Sequence, residues 1–316
     1  MRRKEVIAGI QLFLAAMLYG SGFVAQKAGA SLGPFTFSGI RMLVGALALA
    51  LIIFVMRAAG KAKNFSPDVD ILRDDGGSQG KPVSPVQKDD GISEVIKGGI
   101  VCGGFLVAAI NLQQIGIYKA TDAGKAGFIT SLYIIFVPII GIFVKKKVRP
   151  LVWVCVFTGA VGFYLLSVEG SITQFQFKDG DFYILISAVL LAGQILAIDH
   201  YADKCDGVAL TLAQFIVVSA VSIVLMFAFE DPSLPEIANC IWPIIYGGAV
   251  VGGFGFTFQV LGQKYSKPGE ASLILSLEAV FAALFGALIF KETMTAREIA
   301  GCAIIFVSVM LPQLKR

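Results

Sequence analysis

Charge is what this 316-residue chain is shortest of: Asp, Glu, Lys and Arg together make 15% of it, against about 25% in a soluble domain. Histidine is nearly missing, with His200 alone. Five cysteines (Cys102, Cys155, Cys205, Cys240 and Cys302) are scattered with no C-x-x-C pair, so each reads as a small apolar helix residue. A structural zinc site needs four clustered ligands, usually Cys or His, and no metal is expected. No G-x-x-x-x-G-K-[ST] loop is present, which argues against direct ATP drive. The paired carboxylates or nucleophile–base sets that an integral-membrane enzyme needs are lacking too. No cofactor and no nucleic-acid partner are expected. What is abundant is apolar: 56% of residues are hydrophobic, with a mean hydropathy of +0.79. Such a chain belongs in a bilayer.

A transmembrane helix needs about 20 mostly apolar residues. Ten such stretches are legible, at about 6–26, 33–57, 95–117, 123–144, 150–168, 181–200, 208–229, 239–263, 268–290 and 296–312. Unpaired backbone polar groups are not tolerated in lipid, and these runs are too long and continuous for barrel strands. The expected fold is therefore an all-α integral membrane protein with ten transmembrane helices. Residues 58–94, rich in Lys, Asp, Gly, Ser and Pro, read as a flexible, solvated loop. The first apolar run is longer than the core of a cleavable leader and reads as a span.

Basic residues set the orientation. With the N-terminus in the cytoplasm, 19 Lys and Arg fall on that side and six on the other (Lys27, Lys119, Lys125, Lys178, Lys291 and Arg297), Arg41 lying inside the second span. This predicts a multi-pass protein of the plasma membrane, a bacterial inner membrane, with both termini cytoplasmic.

Residues 98–105 read GGIVCGGF and residues 247–254 read GGAVVGGF. One octapeptide opens span three and the other lies in span eight, its counterpart if each half holds five helices. The same offset pairs Gln114 with Gln263. A slightly shorter one aligns AGFITSLYIIF (126–136) with ASLILSLEAVF (271–281), which puts Tyr133 opposite Glu278. Five is odd, so the second repeat, 169–316, is predicted to sit upside down relative to the first, 1–168. Inverted repeats of this kind are a route to alternating access. Gly99, Gly103, Gly248 and Gly252 read as small-xxx-small faces for close helix packing.

Polar side chains inside a membrane are expensive and usually face the bundle interior or a wet cavity. Glu278 stands near the middle of span nine. Three readings stand: a structural hydrogen-bonded group, a contact for a cationic solute, or the carrier of a coupling proton. Asn111 and Gln114 sit about one turn apart on span three, as Gln259 and Gln263 do on span eight, and both pairs either line a cavity or bond helix to helix. Tyr19 and Gln26 on span one, and Tyr133 on span four, are further cavity candidates. Gln194 and Asp199 lie on span six, Asp199 near its solvated end beside His200. Arg41 reads as a structural group that snorkels or pairs with a helix-end carbonyl. Lys119 and Lys125, with Asp122 between them, form a basic rim that either attracts anionic solutes or is simply exposed.

LYGSGFVAQKAG (18–29) with PFTFSGIRMLVGALAL (34–49), and ASLILSLEAVFAALFGALIFKETM (271–294), resemble the first two helices and the ninth helix of the EamA-like family of the drug/metabolite transporter superfamily. The resemblance covers essentially all of the chain outside 58–94, and includes an arginine matched by Arg41. It implies secondary transport of a small organic solute, metabolite, amino-acid-like or drug-like, commonly as export. It also implies a central cavity lined by helices one, three, four, six, eight and nine. The long 58–94 loop and Lys125 depart from the family pattern. The competing readings are a lipid-modifying membrane enzyme or a channel. The expected partners are the solute and the lipid bilayer, with monomer and homodimer both open.

Overall fold

The computed structural model describes residues 2–58, 88–119, 123–146, 148–167, 179–290 and 295–314. Among these there is no strand. The helices are α1 (Arg2–Ala28), α2 (Pro34–Ala58), α3 (Lys88–Tyr118), α4 (Ala123–Ser131), α5 (Tyr133–Phe143), α6 (Pro150–Ser167), α7 (Asp179–Tyr201) and α8 (Gly207–Phe229). The short α9 (Leu234–Asn239) and α10 (Ile241–Ile245) lead into a π-helix, Tyr246–Phe256. Then come α11 (Thr257–Gln263), α12 (Pro268–Leu275), α13 (Glu278–Phe290) and α14 (Ala296–Leu314).

Among the described residues, eight helical segments are long and apolar enough to cross a membrane. They include Ala123–Phe143, Ile241–Gln263 and Pro268–Ile289, each built from consecutive pieces. The other two predicted spans are helical as well: α6, with a shorter apolar stretch Pro150–Leu165, and α14, which packs on α6. Large apolar side chains stay exposed on the outer faces, among them Leu47, Phe54, Phe157, Phe227 and Leu288. In water they would be a liability; against acyl chains they cost nothing.

One boundary differs from the sequence reading. Residues 88–94, assigned to the loop, begin α3. The rest of that loop, 59–87, lies outside the described residues.

Close crossings fix the arrangement. Span one runs antiparallel to span eight: a Cβ on Gly22 would meet Val251, one on Gly255 would meet Tyr19, and one on Gly262 would meet the Ala8 carbonyl oxygen. Span three runs antiparallel to span six, with Gly98 against Tyr201 and Gly116 against Gly180. Spans three and seven run parallel, Gly99 facing Ala213 and Gly103 facing Val217. Gly99 and Gly103 thus both stand at close approaches to α8. On span eight the near-identical octapeptide is π-helical. The wider winding breaks the four-residue stacking of Gly248 over Gly252. Gly248 abuts the backbone of α2, where a Cβ would lie 2.2 Å from the Arg41 carbonyl oxygen, whereas Gly252 meets the Phe215 ring.

Candidate functional site

Spans four and nine are each interrupted, and at matching places. Leu132 N donates to Ile129 O (3.2 Å) and Leu277 N to Ile274 O (3.1 Å), one tight turn replacing the regular ladder in each helix. Tyr133 and Glu278 are consequently the first residues of α5 and α13. The start of α13 is the positive end of its dipole, a favourable place for a carboxylate that cannot reach water. The two interruptions touch: Ser131 Oγ lies 3.4 Å from both the Ser276 carbonyl oxygen and Glu278 Oε1. The buried Tyr133 hydroxyl stands beside the Glu278 carboxylate without reaching hydrogen-bonding geometry. Gly20 lets α1 close over this point, since a Cβ there would lie 2.8 Å from the Glu278 carbonyl oxygen.

Beside the interruptions is a cavity of about 70 Å³, room for several waters. Spans one, three, four, six, eight and nine line it, and α2 adds Arg41 and Met42. Arg41 is 3% exposed and Glu278 4%. They are the two charged side chains on the cavity wall, and among the described residues neither is in an ion pair. Placing such a charge at the centre of a span costs about 2.5–3.5 kcal/mol on insertion scales. The Arg41 guanidinium lies 5.3 Å from the Phe37 ring centre, a contact that recovers part of that cost. Further polar atoms on the same wall have no partner: Gln26 Oε1, Arg41 Nε, Tyr133 Oη and Ser187 Oγ.

The same cavity also borders a closed network, through Tyr19, Gln194 and Gln259. Tyr19 Oη donates to Gln259 Oε1. Gln259 Nε2 donates to Gln194 Oε1 and Gln263 Oε1, both at 3.1 Å. Gln194 Nε2 then donates to Gln214 Oε1 (3.0 Å), and Gln263 Nε2 to the Ile195 carbonyl oxygen (2.9 Å). Every amide in this ladder both gives and accepts, and it ties spans one, six, seven and eight together.

Of the sequence candidates, Tyr19, Gln26, Tyr133, Gln259 and Glu278 meet on the cavity. Asn111, Gln114 and Gln263 do not. Asn111 Nδ2 donates to Val107 O and Ser222 Oγ, each at 2.8 Å, and Gln114 Nε2 to Gln26 O at 3.3 Å. Helical phase is the reason: successive residues turn by about 100°, so on α3 it is Gln113 that faces the cavity, bonded to Thr130 Oγ1. Gln263 is one turn past the cavity and spent within the ladder. Arg41, expected as a structural group, lines the cavity, and Gln113, Thr130, Ser187 and Gln194 join it. Asp199 is not merely solvated but paired with Lys146, and His200 lies against Lys204. Lys125 is no free rim charge, since it pairs with the fully buried Asp181, while Lys119 sits over the Tyr183 ring. Asp122 lies outside the described residues.

The profile of the EamA-like transporter family matches residues 6–168 and 178–312. The chain belongs to this family. An uncharacterized transporter of Archaeoglobus fulgidus is 28% identical to this EamA-like chain, over 99% of it and 87% of the relative. The uncharacterized transporter YoaV of Bacillus subtilis is 24% identical, over 95% and 94%. A solved crystal structure with 16% identity superposes with a TM-score of 0.70 over 97% of this chain and 96% of that one, a likeness of fold. An EamA-like transporter is a membrane protein that moves a small solute.

Proposed function

We propose that this EamA-like transporter is a secondary transporter whose ten spans form two inverted five-helix halves, 1–168 and 169–316. It carries a small organic solute through the central cavity by alternating access, in the direction of export. The observation that carries the reading is the meeting of two interrupted helices, one from each half, at a buried cavity with unpaired polar atoms. Interrupted helices are where transporters of inverted-repeat design place their sites.

Further contacts support the inversion. Span three packs on spans six and seven as span eight packs on spans one and two, and span one packs on span nine as span six packs on span four. Gln114 and Gln263, the glutamines paired by the repeat, each donate to a main-chain carbonyl of the first helix in their own half. Basic residues gather at one end, where Lys4 meets Tyr265, Lys146 meets Asp199, Arg149 meets Glu270 and Lys204 approaches Glu94. That end is the cytoplasmic one on the positive-inside rule, with the protein in the cell membrane and both termini inside. Glu278 is the group we assign to coupling, as carrier of a proton or as the contact for a cationic part of the solute.

Purified protein in liposomes tests this. Solutes identified from the medium of overproducing cells should show saturable uptake, accelerated by the same solute on the far side. Flux that grows linearly with concentration and ignores the far-side solute would point to a channel and sink the reading.

A further inference from the structure

We infer that the cytoplasmic mouth of the solute path lies between spans four, six and nine. Its gate is the end of span four, residues 138–146, latched by the ion pairs Lys146–Asp199 and Arg149–Glu270. This deepens the transport reading above and rests on it.

A second cavity, of about 20 Å³, lies at the basic end between these spans. Val137, Leu196 and Glu270 line it, whereas Tyr133, Ile195 and Leu275 line the central one. One layer of side chains separates the two. Val137 stands one turn past Tyr133, Leu196 directly follows Ile195, and Ile274 stands one turn past Glu270 and next to Leu275. Val137, Leu196 and Ile274 are all buried in one apolar cluster. Parting these three side chains would join the central cavity to the basic end.

Two ion pairs cross the same gap. Lys146, just past span four, reaches Asp199 on span six, and Arg149 Nη1 lies 3.4 Å from Oε1 of Glu270, in the first turn of span nine. Each cation is nearly half-exposed, Lys146 at 42% and Arg149 at 45%, so on opening it passes into water at little cost. The other end of spans four and six is tied differently. There Lys125 is 17% exposed and its partner Asp181 fully buried, and breaking a buried pair is expensive. The outer tie is the pivot and the inner one the latch.

Span four is also built to bend at this place. Pro138 sits inside α5, lines the second cavity and has no N–H to give, which weakens the helical ladder there. Beyond it Lys145 takes a φ of 59°, and among the described residues it is the one non-glycine residue with positive φ. That turn carries Lys146 N to the Gly141 carbonyl oxygen (2.8 Å) and the Lys146 side chain to Asp199. A lysine holds this conformation against a steric cost, which the ion pair offsets while the gate is shut.

The test uses full-length protein in oriented vesicles on a cysteine-free background, with Ile274→Cys or Ser187→Cys as the target of a membrane-impermeant maleimide. Removing both latches by Lys146→Gln with Arg149→Gln should speed reaction of Ile274→Cys from the basic face about tenfold, the ratio that about 1.4 kcal/mol of lost closure gives. Opening one mouth draws population from the other, so reaction of Ser187→Cys from the opposite face should slow severalfold. Pro138→Ala, which returns an N–H to the ladder, should slow reaction of Ile274→Cys from the basic face. If the double latch variant does not reach the membrane, Lys146→Gln alone decides by the same two rates. Unchanged rates in the latch variants overturn the inference, and so does faster reaction from both faces, the mark of loosened packing. Latch variants that respond as expected in a protein without saturable solute flux would sink the transport reading instead.

Discussion

Two polar regions lie side by side inside this apolar chain, and they are built on opposite terms. The ladder Tyr19–Gln259–Gln194–Gln214, with its branch at Gln263, has a partner for every amide oxygen and nitrogen. The wall formed by Gln26, Arg41, Tyr133 and Ser187 leaves an atom unpaired on every member. Buried polar groups are nearly always satisfied, and exceptions call for a reason such as water, an ion or a guest. A closed network stiffens a structure, and an open one is held ready for something else. On the transport reading proposed above, the difference separates what holds the spans together from what meets the cargo.

That division can be broken at several points. The largest effect is expected at Glu278, whose replacement by Gln should cut solute flux by more than about tenfold while leaving abundance in the membrane unchanged. Normal flux in that variant between about pH 6 and pH 8, with or without a proton gradient, would make the carboxylate structural. Gln194→Leu should act on the other term. It strands one N–H of the Gln259 amide and the Gln214 oxygen, at about 1–3 kcal/mol for each buried group left unmatched, and thermal unfolding in detergent reads the loss. If Gln194→Leu keeps its melting temperature and loses only flux, the ladder belongs to the site. Ser187→Ala removes an already unpaired hydroxyl, so stability should stay within about 0.5 kcal/mol while KM shifts. The smallest effect is expected for Asp199→Asn. Its partner Lys146 is 42% exposed, so the pair is worth at most about 1 kcal/mol, and the variant should alter the rate of flux more than the melting point.

Much of this was legible in the residues. The octapeptide GGIVCGGF/GGAVVGGF and the alignment of 126–136 with 271–281 put Tyr133 opposite Glu278, and the two side chains do lie together where their helices are interrupted. The interruptions themselves were not legible, because Ser131-Leu132 and Ser276-Leu277 hold no proline or glycine. Nor was the π-helix. Six of eight residues are shared between the octapeptides, yet one winds as α and the other as π. The surroundings decide: Gly99 and Gly103 meet the side chains of Ala213 and Val217, whereas Gly248 meets the backbone of α2 at Arg41. Single polar residues were the hardest to place. Gln113 and Gln114 are chemically alike and adjacent, and one helical step decides which of them faces the cavity. Arg41 read as structural because its distance from water was visible in the sequence and its want of a partner was not.

The most direct test of the central claim, that the unpaired wall is reached in turn from each side of the membrane, is labelling at Ser187. A Ser187→Cys protein on a cysteine-free background, in oriented vesicles, would be treated with a membrane-impermeant thiol reagent from each face separately. Alternating access predicts reaction from both faces. It also predicts that a covalent cross-link between cysteines placed at Lys146 and Asp199, which bridge spans four and six at the basic end, abolishes reaction from that face alone. Reaction from neither face, or reaction from both that the cross-link leaves untouched, would contradict it.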